Sequence, residues 1–343
     1  MVAHVAIPGP ESKTPEWYAQ RYFRPGSDRP VVFGASEASR CLNASKHGSA
    51  LELYLVKRQE KQPADLSENE AVQAGNFLES GVLAWYEHKA NIGDDGDELI
   101  LEPSCYFHPS HSFMSATPDG IVQRTEDGEW LRSVDAKCST FRRWDEFGLS
   151  DDKFGIEGTD QVPLDYLCQA MQQMAVLGVD VCDFPVLLDG RHLKIYTVHK
   201  NDDLIGKIIQ AEAELAERIR DARPPEPNWT LSGTKELIRD LYGLESGQVV
   251  ELTDEDFLLW QEYEFDGIRA RDIESRRTEI KNKLLWKMQA AELGRFPGGC
   301  EKELRRCSVK GSVWTQKDVD EAASKIGQVK RAGHERLLSR KTK

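Results

Sequence analysis

Apolar residues along the first part of the chain recur at spacings that separate helices from strands. Side chains three and four positions apart predict amphipathic helices, whereas short apolar runs bounded by glycine, proline or aspartate predict strands. One long helix is predicted by residues at this helical spacing, namely Val72, Gly75, Leu78, Val82 and Tyr86. The predicted helices cover residues 49–58, 67–90, 163–177 and 203–222.

Strand-like segments lie between these helices. They are predicted at residues 99–107, 113–123, 130–137, 180–188 and 192–199. Asp189-Gly190 separates the last two, and this dipeptide favours a tight hairpin turn. Helices mixed with strands predict an α/β fold, with a mixed central sheet flanked by helices.

The pattern changes after Pro227. Residues 253–293 are strongly charged, with apolar residues at helical steps, and predict an exposed helical hairpin. Two short strands are predicted within 298–314, and the tail from Lys330 is basic. We therefore predict two domains, a core at 1–225 and a mostly helical extension at 226–343.

Composition limits the class of protein. A hydrophobic content of 39% over 343 residues is typical of a globular chain. The net charge of −13 argues against a uniformly basic surface, although a nuclease can concentrate its basic residues in one channel. No run of 18 apolar residues is present, and residues 1–10 lack the pattern of a secretory signal, so we expect neither a membrane span nor export.

The cysteines point to a reducing compartment. There are seven, an odd and widely scattered set without a Cys-x₂-Cys pair. Disulfides and a zinc site are therefore not expected, and a reducing cytoplasm is the expected location.

Two aspartates and a lysine carry the candidate chemistry. Asp119 lies in Pro118-Asp119-Gly120, and Asp135 and Lys137 lie two positions apart in a predicted strand, where they would share one face. Buried carboxylates require a positive partner. A carboxylate and an ammonium side by side can bind Mg²⁺ and orient or deprotonate a water, which is the chemistry of phosphodiester cleavage.

Each of these residues also has a plainer interpretation. Aspartate before glycine is commonly a turn residue, and Asp135 with Lys137 could form a solvent-facing pair on an edge strand. Glu79 alone is typical of a solvated helix face, Gln169 could serve packing, and Ser36 could cap a helix.

Five motifs taken in order resemble the YqaJ-type viral recombinase family, which includes the bacteriophage lambda exonuclease and belongs to the PD-(D/E)xK nuclease superfamily. One departure is Asp135, where the lambda enzyme has glutamate. The motifs lie at Arg29–Glu37, Ala74–Glu79, Ser115–Gly120, Val134–Cys138 and Tyr166–Gln169.

The resemblance implies a set of metal ligands. Asp119 and Asp135 would bind one or two Mg²⁺ ions, for which Mn²⁺ can substitute. The carbonyl of Ala136 would be a further ligand, and Glu79 would act directly or through water. Lys137 would orient or deprotonate the attacking water.

The resemblance also implies contacts with DNA. Ser36 and an arginine would receive the terminal 5′-phosphate, and Gln169 would position a backbone phosphate or the nucleophile. Arg21 follows Trp17 at the family's spacing, whereas Arg29 precedes Ser36 at the family's spacing. Both arginines are therefore candidates.

The activity implied is a 5′→3′ exonuclease that resects ends of double-stranded DNA and leaves 3′ single strands. The expected partners are DNA ends, a single-strand annealing protein and further copies of the chain in a ring, a trimer in this family. The alternatives are a structure- or sequence-specific endonuclease on the same core and a non-catalytic DNA-end-binding protein.

Overall fold

The structure, a computed structural model, divides the chain into two compact units, residues 1–246 and 247–343. Each unit is described by itself below. The residues that the structure describes are 6–11, 14–23, 30–101, 104–139, 154–243, 249–296 and 303–305.

Four helices of the first unit begin at a polar side chain that caps them. Thr14, Ser49, Asn69 and Asn201 each accept a hydrogen bond from a backbone N–H of the first turn that follows. The helices are α1 (Pro15–Gln20), α2 (Ala38–Cys41), α3 (Ala50–Lys57), α4 (Glu70–Lys89), α5 (Leu164–Leu177), α6 (Asp202–Arg220) and α7 (Thr234–Tyr242), with a 3₁₀ turn at Ala35–Glu37 before α2.

The strands of the first unit are short. They are β1 (Ile7–Glu11), β2 (Phe33–Gly34), β3 (Asp97–Ile100), β4 (Ser104–Phe107), β5 (Met114–Ala116), β6 (Gly120–Arg124), β7 (Trp130–Val134), β8 (Lys137–Ser139), β9 (Val181–Leu188) and β10 (His192–His199).

Two sheets organise these strands. The larger runs β10-β9-β7-β6-β3, with β8 also paired to β9, and the smaller runs β1-β4-β5-β2. The pairs β7–β9, β8–β9 and β2–β5 are parallel, and the other pairs are antiparallel. The predicted α/β fold with a mixed sheet flanked by helices is confirmed.

The core forms around α5, whose Met171, Met174 and Val176 are buried against both sheets and α6. The strand β9 is buried along almost its whole length, as expected of a central strand. Its hairpin with β10 turns at Asp189 and Gly190, which both have positive φ, at 50° and 66°. The hairpin predicted from this dipeptide is confirmed.

The predicted central strand at 130–137 is interrupted. The strand β7 ends at Val134 and β8 begins at Lys137, so Asp135 and Ala136 lie between two strands. The cause is a tertiary contact, because the N–H of Ala136 donates to the carboxylate of Asp119 and not to a neighbouring strand. The predicted strand at 113–123 is also divided, at Thr117-Pro118-Asp119, where proline has no N–H to donate.

The compact unit extends past the boundary predicted after residue 225. The reason is α7, whose Leu237 is buried in a cluster with residues of α3 and α6. None of the helices in the described ranges is long and apolar enough to cross a membrane.

The second unit contains α8 (Asp254–Met288) and an antiparallel pair, β11 (Leu293–Arg295) and β12 (Glu303–Arg305). The predicted helical hairpin is wrong, because α8 is a single helix of 35 residues that begins with a capping box at Thr253. The predicted strands at 298–314 correspond to described structure only at β12, and the basic tail lies outside the described residues.

Candidate active site

Two short segments that interrupt the strands bring the carboxylates of Asp119 and Asp135 together. Asp119 precedes β6, and Asp135 follows β7, which is the antiparallel neighbour of β6. The N–H of Asp119 donates to the carbonyl of Val134 at 3.1 Å. In return, the N–H of Ala136 donates to Oδ2 of Asp119 at 2.8 Å. The backbone therefore fixes the two aspartates side by side.

Asp135 is the centre of a polar cluster. The residue is 3% exposed, and its Oδ2 accepts a hydrogen bond from Nζ of Lys137 at 2.7 Å. Nε2 of Gln169, on α5, donates to the same oxygen at 2.5 Å. The ammonium of Lys137 also lies 5.0 Å from the ring centroid of Tyr166. The structure thus brings Asp119, Asp135, Lys137 and Gln169 into one site.

The electrostatics of this site disfavour a second ionised carboxylate beside Asp135. Burial raises the pKa of Asp119 to about 9, and the carboxylate of Asp135 adds to the shift. Burial would lower the pKa of Lys137, but the carboxylates of Asp135 and Asp119 outweigh it and raise that pKa. Asp135 is buried and Asp119 is partly buried, and both lie near the single ammonium of Lys137, so a further cation would let both ionise.

This donor set fits a magnesium ion. Among the described residues, no group of three or more His, Cys, Asp and Glu side chains could hold a metal. Mg²⁺ does not need such a cage, since it is commonly held by one or two carboxylates and completed by waters and substrate phosphates. Asp119 and Asp135 supply hard oxygen atoms of this kind, whereas the ligand role of the Ala136 carbonyl stays a prediction.

A cavity of about 550 Å³ opens beside Asp119. Its walls come from α1, α4, α5, the turn before α2 and the turn between β5 and β6. Five predicted site residues line it: Arg21, Ser36, Glu79, Asp119 and Gln169.

Glu79 faces this cavity from α4, although much of the first half of that helix is exposed. Its charge contributes to the raised pKa of Asp119, after the larger effects of burial and Asp135. Glu79 therefore lies within electrostatic reach of the aspartates without forming a cluster of three carboxylates with them.

Arg21 is held in place by an aromatic ring and a carboxylate. Its guanidinium lies 4.4 Å from the ring centroid of Trp17, and Nη2 lies 3.6 Å from Oε2 of Glu37. Nε1 of Trp17 donates to Oγ1 of Thr117 at 3.4 Å, which ties α1 to the turn that carries Asp119. Ser36 is exposed on the same cavity. The other candidate arginine, Arg29, lies outside the described residues.

Glu37 is a residue that the sequence reasoning missed. Its Oε2 accepts hydrogen bonds from the N–H of Gly34 at 2.9 Å and from Nζ of Lys57 at 2.7 Å. Burial would raise the pKa of Glu37, but the charges of Lys57 and Arg21 outweigh it and lower that pKa to about 2. An acidic residue among small and apolar neighbours at 35–38 was the available sequence signal.

One family of known proteins matches the part of the chain that carries this site. Residues 16–180 match the model of the YqaJ-like viral recombinase domain. No curated protein matches the chain significantly.

Among solved structures, the chain is similar to an alkaline exonuclease from Laribacter hongkongensis, with 19% identity, 56% of this chain and 89% of that chain covered, and a TM-score of 0.40. A phage related exonuclease from Haemophilus somnus 129PT matches with 12% identity, coverage of 56% and 95%, and a TM-score of 0.38. The Shutoff and Exonuclease Protein from Kaposi's sarcoma-associated herpesvirus matches with 9% identity, coverage of 66% and 73%, and a TM-score of 0.34.

Proposed function

We propose that this chain, whose residues 16–180 match the YqaJ-like viral recombinase domain, is a Mg²⁺-dependent exonuclease that resects linear double-stranded DNA from 5′ ends. One observation carries the proposal. A single cavity joins an arginine and a serine, suited to a terminal phosphate, to the aspartate of a carboxylate–lysine cluster suited to phosphodiester hydrolysis.

In this proposal, some side chains bind the DNA phosphate or the metal ion, and others orient the attacking water. Arg21 and Ser36 bind the terminal 5′-phosphate, which fixes how far the strand enters the cavity. Asp119 and Asp135 hold the ion, which supplies Lewis acidity and an activated water when bound. Lys137, whose ammonium is fixed by its ion pair with Asp135, would orient that water, and Gln169 keeps the Asp135 carboxylate in position.

The position of the phosphate receptor supports a 5′→3′ direction. A terminal phosphate seated at Arg21 places the first phosphodiester further along the cavity, towards Asp119. Each cleavage then leaves a new 5′-phosphate for the next cycle, and the uncut strand remains as a 3′ single strand. An annealing protein would take up that strand, and a ring of copies, a trimer, would hold the enzyme on its duplex.

Two substitutions test the catalytic assignment. Asp119→Ala removes a metal ligand, and Lys137→Ala removes the group that orients water. Each should lower Mg²⁺-dependent release of nucleotides from a linear duplex by about 100-fold or more. Binding of the same duplex in Ca²⁺ should remain. The matched control is Asp127→Ala, an exposed carboxylate on the turn between β6 and β7.

The form of the DNA tests the exonuclease mode. Linear duplexes labelled on either strand, with 5′-phosphate or 5′-hydroxyl ends, report which strand shortens and whether the phosphate matters. A covalently closed circle should stay intact. Cutting of the circle would instead identify an endonuclease, and full activity of both variants would show that the site is misassigned.

A further inference from the structure

The helix α8 has no buried residue along its 35 positions. Large apolar side chains lie on its surface, among them Leu259 and Tyr263, which are 64% and 66% exposed, and Ile273, which is 59% exposed. An isolated helix gains little stability without a packed apolar face. We therefore expect the apolar side chains of α8 to pack against a partner.

One stripe of α8 has the spacing of a coiled coil. Starting from Asp256, steps of three and four residues alternate without interruption to Lys287. Such steps place all of these side chains on one seam. The apolar members of the seam are Leu259, Tyr263, Ala270, Ile273, Ile280 and Leu284, and the charged members are Asp256, Asp266, Arg277 and Lys287.

The seam of one copy is complementary to the seam of a second copy that runs in the opposite direction. In an antiparallel pair with Ala270 opposite Ile273 of the second copy, every apolar position faces an apolar position and every acid faces a base. The further pairs are Tyr263 with Ile280, Leu259 with Leu284, Asp266 with Arg277, and Asp256 with Lys287. We propose that α8 binds α8 of a second copy as an antiparallel coiled coil in this register.

The charged layers decide the orientation of the pair. In a parallel pair, Asp266 would face Asp266 and Arg277 would face Arg277, and buried like charges repel. The antiparallel register replaces both clashes with two ion pairs related by the two-fold axis. Because the same patch serves both copies, the contact closes on itself as a dimer.

The flanking positions add one favourable and one unfavourable contact. Glu262 lies beside Lys283 of the second copy, an attractive pair. Arg269 lies beside Arg276 of the second copy, a repulsive pair that is softened because Nη1 of Arg269 lies 3.5 Å from Oδ1 of Asp266 on its own helix. The seam from Asp256 to Lys287 extends over about 47 Å at the α-helical rise. This two-fold contact does not depend on the proposed nuclease activity or on the ring.

Charge reversal on the full-length chain tests the register. Asp266→Arg places arginine opposite Arg277, and Arg277→Asp places aspartate opposite Asp266. Each variant should weaken the two-fold association about tenfold or more, seen by light scattering as a shift of the loss of mass to about tenfold higher protein concentration in a dilution series. Asp272→Arg and Arg271→Asp, off the seam, make the same charge changes and should leave the mass unchanged.

The double variant gives the decisive result. Asp266→Arg and Arg277→Asp in one chain restore an acid opposite a base only in the antiparallel register, so the double variant should recover the larger mass. An equimolar mixture of the two single variants should recover it as well, because one chain then has only bases and the other only acids at these two positions. Circular dichroism checks that each variant keeps its helix. Equal masses for the unaltered protein and both seam variants, or a double variant that keeps the smaller mass, would overturn the proposal. The second pattern would identify another occupant of the seam, such as residues 306–343 of the same chain.

Discussion

At the scale of single residues, the pair of Glu37 and Lys57 lies next to Arg21 and to the turn that carries Ser36. The side chain of Lys57 is 2% exposed, and its ammonium also donates to the carbonyl of Val32 at 2.8 Å. A buried charge is tolerated only with such partners. Glu37, stabilised by Lys57, therefore fixes the turn that carries Ser36 and contacts the guanidinium of Arg21.

Glu37→Gln should destabilise the fold by about 3 kcal/mol near neutral pH, because it leaves the ammonium of Lys57 buried without its counter-charge. The effect should depend on pH. Glu37 has a folded pKa of about 2, below its ordinary value of 4.5, so its ionised form stabilises the fold above about pH 4.5. That stabilisation is lost as the pH falls through about 2.

Urea unfolding of Glu37→Gln and of the unaltered protein at pH 7, 4.5 and 3 measures this difference. The difference in the free energy of unfolding should shrink at the lowest pH. A difference that stays constant from pH 7 to pH 3 would show that the ionised carboxylate of Glu37 contributes no stability.

Gly34→Ala should impair the receptor for the 5′-phosphate. A Cβ atom built on Gly34 would lie 2.7 Å from Nη2 of Arg21, so the guanidinium must move. Arginine is flexible, and the fold should survive. We expect about a tenfold lower rate on 5′-phosphorylated linear duplex, since a charge-assisted hydrogen bond contributes about 1.5–3 kcal/mol.

The rate of Gly34→Ala on 5′-hydroxyl ends should change much less, and the ratio of the two rates is the measurement. Gly75→Ala is the control, because a Cβ atom there would meet no other atom within 4 Å. An unchanged ratio in Gly34→Ala would remove Arg21 from the phosphate receptor.

At the scale of elements, α4 is anchored through its second half only. Val82, Leu83 and Tyr86 are buried, and the hydroxyl of Tyr86 donates to Oδ2 of Asp183 at 2.7 Å. Val72 and Leu78, which the helical spacing assigned to the same stripe, are 39% and 43% exposed. The spacing predicted the helix correctly, but it could not show where its packing partners end.

Substitution of a buried and of an exposed valine of α4 should have different effects on stability. Val82→Ala should lower the free energy of unfolding by about 2 kcal/mol, through lost burial and the cavity left behind. Val72→Ala makes the same chemical change at an exposed site and should have an effect within about 0.5 kcal/mol. Equal losses in urea unfolding would mean that the first half of α4 packs as tightly as the second.

The interruption between β7 and β8 shows why the strand at 130–137 could not be read from its pattern alone. A continuous strand would place Asp135 and Lys137 on one face through the two-residue period. In the structure Asp135 and Lys137 are also close, although they do not lie on one continuous strand. The strand pairing stops where the N–H of Ala136 donates to the carboxylate of Asp119. A contact between two segments 17 positions apart decides this break, so no local spacing encodes it.

At the scale of the whole molecule, the described catalytic and phosphate-binding candidates all lie in the first unit. Its three buried clusters belong to residues before Ser246. We therefore expect a chain ending at Ser246 to fold and to keep Mg²⁺-dependent nuclease activity, while losing the association through α8. Nucleotide release and light scattering measure the two properties, and loss of activity in a folded truncated chain would show that the second unit takes part in catalysis.

The sequence by itself determined the local elements of this protein and supplied the candidates for its chemistry. Helix caps, the Asp189-Gly190 turn and the ordered motifs act over short stretches of chain, so their residue types suffice to predict α3, α4, α5, the β9–β10 hairpin and the family. Their role in the reaction stays a prediction until the variants are measured.

Tertiary structure alone decided which distant residues share a cavity. Arg21, Ser36, Glu79 and Asp119 meet through the order of the strands and the packing of α1, α4 and α5 around them. It also selected Glu37 as the support of Arg21 and left α8 as one unburied helix. These outcomes depend on contacts between segments far apart in the chain, and the energy of such contacts is absent from any local pattern.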